Sequence, residues 1–180
     1  QIDIRLIQFI IDSGYLPYPI PYFYPKKTSL KNMKKWLFKM KPDGLVLSGG
    51  PDIGLNKIRD ITEEYLIKYS IKNKLPIYGI CRGMQVLGKY FGVKLKPVKG
   101  HVNVNHNVYS DFKIKNVNSY HRNALQKCPK NFEVIYKSKG GSIESMVNDK
   151  NKIYACMWHP ERNKIFDIED ISNFKKIFRK

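Results

Sequence analysis

Pro76-Ile77-Tyr78-Gly79-Ile80-Cys81-Arg82-Gly83-Met84 is the stretch on which the fold turns. Ile77 to Ile80 has the length and apolar content of a buried strand. It stops at a cysteine, and Met84, Leu87, Tyr90 and Phe91 then recur at helical spacing until Gly92. Gly79 and Gly83 stand two positions either side of Cys81. Such spacing lets a sharp strand-to-helix turn hold a nucleophile in strained geometry, because a side chain at either glycine would crowd the turn. The sulfur would then sit at a helix N-terminus, where unpaired N–H groups and the positive end of the helix dipole favour thiolate over thiol. A cysteine after a buried strand also serves as a small core residue, so a partner base has to decide between the two.

Residues 153–158 read as another buried strand, and it runs straight into His159-Pro160-Glu161. Parallel strands deliver their C-terminal ends to one edge of a sheet, so the tips of these two strands can meet despite their separation in the chain. His159 would take the proton of the Cys81 thiol or pair with its thiolate. Glu161, with Pro160 stiffening the link, would hold the imidazole in the useful tautomer.

Gly79-Ile80-Cys81-Arg82-Gly83-Met84-Gln85 together with Trp158-His159-Pro160-Glu161-Arg162 resembles the class I glutamine amidotransferase superfamily. The arginine after the cysteine and the Trp-His-Pro-Glu-Arg ending resemble its gamma-glutamyl hydrolase branch. The resemblance implies a three-layer, flavodoxin-like α/β fold, with a mostly parallel central sheet flanked by helices and a small antiparallel extension. It implies cysteine-dependent hydrolysis of the gamma-glutamyl amide of a small molecule through a thioester, without a cofactor. The alternative within the same superfamily is a glutaminase subunit that passes ammonia to a synthetase partner.

Further site residues follow from the resemblance. Gly44-Leu45-Val46-Leu47-Ser48-Gly49-Gly50-Pro51-Asp52 is a buried strand ending in a double glycine, and in the resembled family this loop supplies one oxyanion donor. Carried over, the donors are the backbone N–H groups of Arg82 and of Gly50, with Gly49 the other choice in that loop. Gln85 on the elbow helix, His101 and Val102 in a Gly-His-Val segment, and Ser119, Tyr120 and His121 in Val117-Asn118-Ser119-Tyr120-His121 are the expected substrate contacts.

The remaining sequence sets bounds. A chain of 180 residues with 42% apolar content suits one domain with a real core. The first residue is not Met, and the resembled fold begins with a strand before its first helix, so a native N-terminal strand is expected to precede Gln1. Three cysteines, an odd number without metal-ligand spacing, suggest a reducing compartment. No apolar run approaches membrane-spanning length and no leader pattern is present, so a cytoplasmic protein is expected. The net charge of +18 raises nucleic acid as a partner, but the lysines are scattered and form no dense block. AT-rich coding bias explains much of the charge, and a field that steers an anionic, nucleotide-linked substrate is a further option. His101 and His106 are five apart with no Cys or acidic ligand beside them in sequence, so no metal is expected.

Helices are predicted over 1–14, 30–40, 60–73 and 168–178. In the third, Ile61, Tyr65, Leu66 and Tyr69 should face inward, and Glu63, Glu64 and Lys68 outward. Beyond the buried strands, 15–21 should be a short edge strand, 93–98 a half-exposed one, and 132–136 and 142–147 two more around glycine and Asn-Asp turns.

Overall fold

A computed structural model describes residues 3–20 and 27–179. The elements in chain order are α1 (Ile4–Asp12), α2 (Lys27–Met40), β1 (Leu45–Leu47), α3 (Lys57–Lys72), β2 (Ile77–Ile80), α4 (Arg82–Tyr90) and β3 (Leu95–Pro97). There follow β4 (Val102–Tyr109), β5 (Ile114–Tyr120), β6 (Asn123–Leu125), β7 (Glu133–Ser138), β8 (Ile143–Asn148), β9 (Ile153–Cys156) and α5 (Ile168–Phe178). Among the described residues seven strands form a mixed sheet in the order β1-β2-β9-β8-β7-β4-β5, and β3 pairs with β6 in a separate ribbon. β1, β2 and β9 run parallel. From β9 onward every pairing is antiparallel.

The parallel strands read as unbroken apolar runs because helices cover both of their faces. Along β9, Ile153 and Ala155 face one core, with Met33, Leu37, Leu66, Ile67, Met84 and Leu87. Tyr154 and Cys156 face the other, with Phe9, Tyr78, Trp158 and Phe174. On that second face Tyr78 stacks on Tyr154 at 5.2 Å between ring centroids. α1 lies there too, its Leu6, Phe9 and Ile10 buried. The Asp3 carboxylate caps it by accepting from the Arg5 N–H at 2.9 Å.

The α/β layering agrees with expectation, and the antiparallel part reaches further, since it carries the sheet from β9 to β5. Its strands do not keep apolar residues inside and polar ones outside: β5 buries Lys115, Asn118 and Ser119 while Ile114 and Tyr120 are exposed, which weakens their signal in a single sequence. Residues 15–20 form no strand; Pro17 and Pro19 remove the donors that a ladder would use. Residues 1, 2 and 21 of the expected helix and strand lie outside the described residues, as does the side chain of Leu30.

α3 starts earlier than predicted because Asn56 caps it, its side chain accepting from the Arg59 N–H at 3.0 Å. Its polarity is also reversed at two positions: Glu63 is buried and Ile61 is 44% exposed. A buried glutamate needs cations, and two arginines supply them. Among the described residues no helix is long and apolar enough to cross a membrane.

Candidate active site

Cys81 stands between β2 and α4 with φ 50° and ψ −104°, a backbone conformation that costs a non-glycine residue of order 1–3 kcal/mol. The surroundings hold it there. The Cys81 N–H donates to the Cys156 carbonyl at 2.7 Å, continuing the β2–β9 ladder one step past β2. A Cβ on Gly83 would lie 2.2 Å from the Leu47 carbonyl oxygen, so α4 can approach the end of β1 only with glycine at that position. The sequence pattern around the cysteine thus has a steric cause.

The electrostatics run against the thiolate expectation. Burial pushes the Cys81 thiol up to about 12, with Glu161 and Glu144 adding to the rise; a hydrogen bond from the Arg82 N–H and the charge of Arg162 pull the other way. The side chain is only 6% exposed. Desolvation therefore outweighs the helix terminus and favours the thiol over the thiolate.

His159 follows β9 by three positions, at the same sheet edge as Cys81. Its Nδ1 lies 2.6 Å from Glu161 Oε1, and both residues are 3% exposed. Glu161 sits in a short 3-10 turn, Pro160–Arg162. With Nδ1–H directed at the carboxylate, Nε2 is left as the acceptor. The backbone of His159 is clamped by Asn118, whose Oδ1 accepts from the His159 N–H at 2.9 Å and whose Nδ2 donates to the His159 carbonyl at 2.8 Å. Sequence reasoning passed over Asn118, although its neighbours Ser119 and Tyr120 are among the expected contacts. Nothing but the fold reveals that this amide spans β5 and the loop after β9.

The double-glycine loop meets the same histidine. A Cβ on Gly49 would come within 2.4 Å of His159 Cε1, so the backbone at Gly49 and the imidazole are in contact. An arginine holds the loop from behind: Arg59 Nη2 donates to the carbonyls of Ser48 at 2.8 Å and Gly49 at 2.9 Å. Arg59 Nε bonds Glu63 at 2.7 Å, and Glu63 and Asp60 both pair with the guanidinium of Arg82. The residue after Cys81 is in this way tied by its side chain to the loop that carries Gly49 and Gly50. Buried charges of this kind persist because they are paired with opposite charges.

The other expected contacts divide. Tyr120, 41% exposed, places its ring edge-on to His159 with centroids 5.6 Å apart, and Arg162 lies 4.6 Å over it. Val102 is 45% exposed. The Ser119 hydroxyl donates to the His101 carbonyl at 2.8 Å, and the Gln85 amide donates to the Asn123 carbonyl at 2.9 Å; both side chains are buried and engaged within the fold. His101 and His121 face each other and Glu144. An open cleft of about 500 Å³ at the C-terminal end of α4, lined by Ile53, Lys89 and Leu95, contains none of these residues.

Residues 18–174 match the family model for glutamine amidotransferase class-I. The chain is 32% identical over 124 residues to gamma-glutamyl-CDP-amidate hydrolase of Campylobacter jejuni, an alignment covering 66% of this chain and 62% of that protein. It is also 32% identical over 162 residues to the glutamine-hydrolysing GMP synthase of Petrotoga mobilis, covering 84% of this chain but 29% of that one. The chain thus spans less than two thirds of either relative. Among solved structures, a candidate GMP synthase component from Thermoplasma acidophilum superposes with a TM-score of 0.76 at 21% identity, over 97% of this chain and 85% of that one. This last likeness is one of fold.

Proposed function

Because this chain belongs to the class-I glutamine amidotransferase family, we propose that it is a cysteine hydrolase releasing glutamate from a gamma-glutamyl amide, with Cys81, His159 and Glu161 as its catalytic triad. The observation that carries this is the His159–Glu161 pair at the same sheet edge as a cysteine in a strained strand-to-helix turn.

The Cys81 sulfur attacks the side-chain amide carbon of the glutamyl group. Since burial favours the thiol, His159 Nε2 takes its proton during attack, and the imidazolium is stabilised by Glu161. The backbone N–H of Arg82 and that of Gly50 or Gly49 stabilise the oxyanion. His159 then gives the proton to the departing nitrogen, and water, deprotonated by the same imidazole, hydrolyses the thioester. Tyr120, edge-on to His159, and Val102 are exposed enough to touch substrate, whereas the side chains of Ser119, His121, His101 and Gln85 are engaged within the fold. The enzyme works in the cytoplasm.

The finer proposal is gamma-glutamyl-CDP-amidate as substrate and, with it, a place in capsular polysaccharide modification. It is supported by the similarity to the Campylobacter jejuni hydrolase and by a net charge of +18, which would draw in an anionic nucleotide amide. The similarity to GMP synthases favours a second reading, in which glutamine is the substrate and a synthetase partner receives ammonia.

Glutamate release from glutamine and from gamma-glutamyl-CDP-amidate separates the two. Turnover of the CDP-amidate conjugate by the chain alone, reduced on the order of 10³-fold or more in Cys81→Ala, is the expected result. Turnover of glutamine only, or none without an added synthetase, favours the second reading. Full activity in Cys81→Ala excludes both.

A further inference from the structure

Three of the four histidines in the chain gather at one point outside the proposed triad. His101 precedes β4, His106 lies within it, and His121 follows β5; Glu144 joins them from β8. One donor atom from each lies within 4.8 Å of all the others, and this is the group of such ligands found among the described residues. His101 Nδ1 is 3.2 Å from His121 Nε2 and 3.3 Å from Glu144 Oε1. Glu144 Oε2 is 3.5 Å from His121 Nε2 and 3.9 Å from His106 Nε2. Donors at the corners of a tetrahedron with metal–ligand bonds of about 2.0–2.1 Å stand about 3.3 Å apart.

The backbone is adapted to this convergence. Two residues five apart on a regular strand point to opposite faces. The ladder between β4 and β5 shifts register between Val102 and Val104, and Asn103 has a φ of 54°. One inserted residue reverses the parity and brings His101 and His106 to the same side.

The polar accounting points to a cation as well. His121 Nδ1 lies 3.1 Å from the Asn123 carbonyl, which only accepts, so Nδ1 carries the proton and Nε2 turns a lone pair toward the cluster. An outer hydrogen bond to a backbone carbonyl is the usual way a metal-binding imidazole is oriented. Glu144 is fully buried, and neither of its oxygens, nor His106 Nε2, has a hydrogen-bond partner. His121 Nε2, His106 Nε2 and the Glu144 carboxylate thus converge with His101 Nδ1 on one point.

We propose that His101, His106, His121 and Glu144 form a tetrahedral site for a divalent transition metal, zinc by its three imidazoles and one carboxylate. Four protein ligands leave no open position, so the ion acts as a structural tie between β4, β5 and β8. The site stands independently of the hydrolase proposal, and its test does not need activity.

The untagged protein, dialysed against Zn²⁺ and then metal-free buffer, should retain one equivalent of zinc by elemental analysis. Co²⁺ in its place should give the intense visible bands of a tetrahedral ion. His106→Gln, at a half-buried position, and Glu144→Gln should each weaken metal retention by at least about 100-fold, since even the supporting residues of such sites are worth 10–100-fold. Cys81→Ala should retain the ion. Substoichiometric zinc in the wild type, a weak octahedral cobalt spectrum, or loss of the metal in Cys81→Ala would each overturn the proposal. Should Glu144→Gln not fold, the wild-type cobalt spectrum and a fall in Tm on adding a chelator decide the matter; unchanged Tm together with no tetrahedral bands refutes the site.

Discussion

At Cys81 two local effects on the thiol compete, and their magnitudes differ. A helix N-terminus favours the thiolate by roughly 0.3–1 kcal/mol, up to about 2 in the best geometries, whereas burial can shift a group by several pKa units at about 1.4 kcal/mol each. Burial wins, and the thiol rises to about 12. The rate of Cys81 alkylation by iodoacetamide, followed peptide by peptide in a mass spectrometer, should therefore keep climbing from pH 7 through pH 10. A plateau already reached at pH 7 would mean a preformed thiolate–imidazolium pair. Glu161→Gln, which keeps the hydrogen bond to Nδ1 in reach but removes the charge, should lower kcat/KM by about 10–100-fold, or ~1.4–2.7 kcal/mol. An unchanged value would remove Glu161 from the mechanism.

Among elements, α3 is the one whose role differs most from its sequence pattern. Its apolar spacing suggests a covering helix with glutamates in water. Instead Glu63 turns inward to sit between Arg59 and Arg82, so the helix braces both the double-glycine loop and the residue after the cysteine. The Arg82 side chain is 2% exposed and that of Glu63 8%. Glu63→Gln leaves two buried guanidiniums short of an anion and should cost roughly 3–5 kcal/mol, read as a lower urea midpoint. A loss below about 1 kcal/mol would show the network to be dispensable.

On the scale of the whole molecule, α5 is tied to the far edge of the sheet by ions. Lys115 on β5 lies 2.7 Å from Asp170 and 3.0 Å from Asp167, and Trp158 Nε1 donates to the same Asp170 oxygen at 3.2 Å. Asp167 and Glu169 are held below their ordinary values of 3.8 and 4.5: burial opposes this, and their bonds to Lys115 and Lys113 prevail. A carboxylate depressed in the folded state stabilises it above the unfolded pKa, and that contribution is lost as pH falls through the folded one. Stability should therefore drop on acidification below about pH 4.5. Burial raises Asp170 against the pull of Lys115, so Asp170 works against the trend. Asp167→Asn, which keeps a cap for α5, should make the acid limb shallower in melts between about pH 5 and pH 3; an unaltered limb would assign it elsewhere.

What the sequence determined by itself was local. The strand, cysteine and helix of the elbow, the glycines around it, the apolar run before His159 and the amphipathic α5 all follow from steric rules and periodicity over a few residues. The tertiary structure alone decided which distant side chains meet. Asn118 on His159, Glu63 on Arg82, and Glu144 among three histidines are polar residues whose partners lie far along the chain. Periodicity marks the face that leaves water, but a buried polar group is placed by its partners. Those partners meet through strand order, and for His101 and His106 through one bulge.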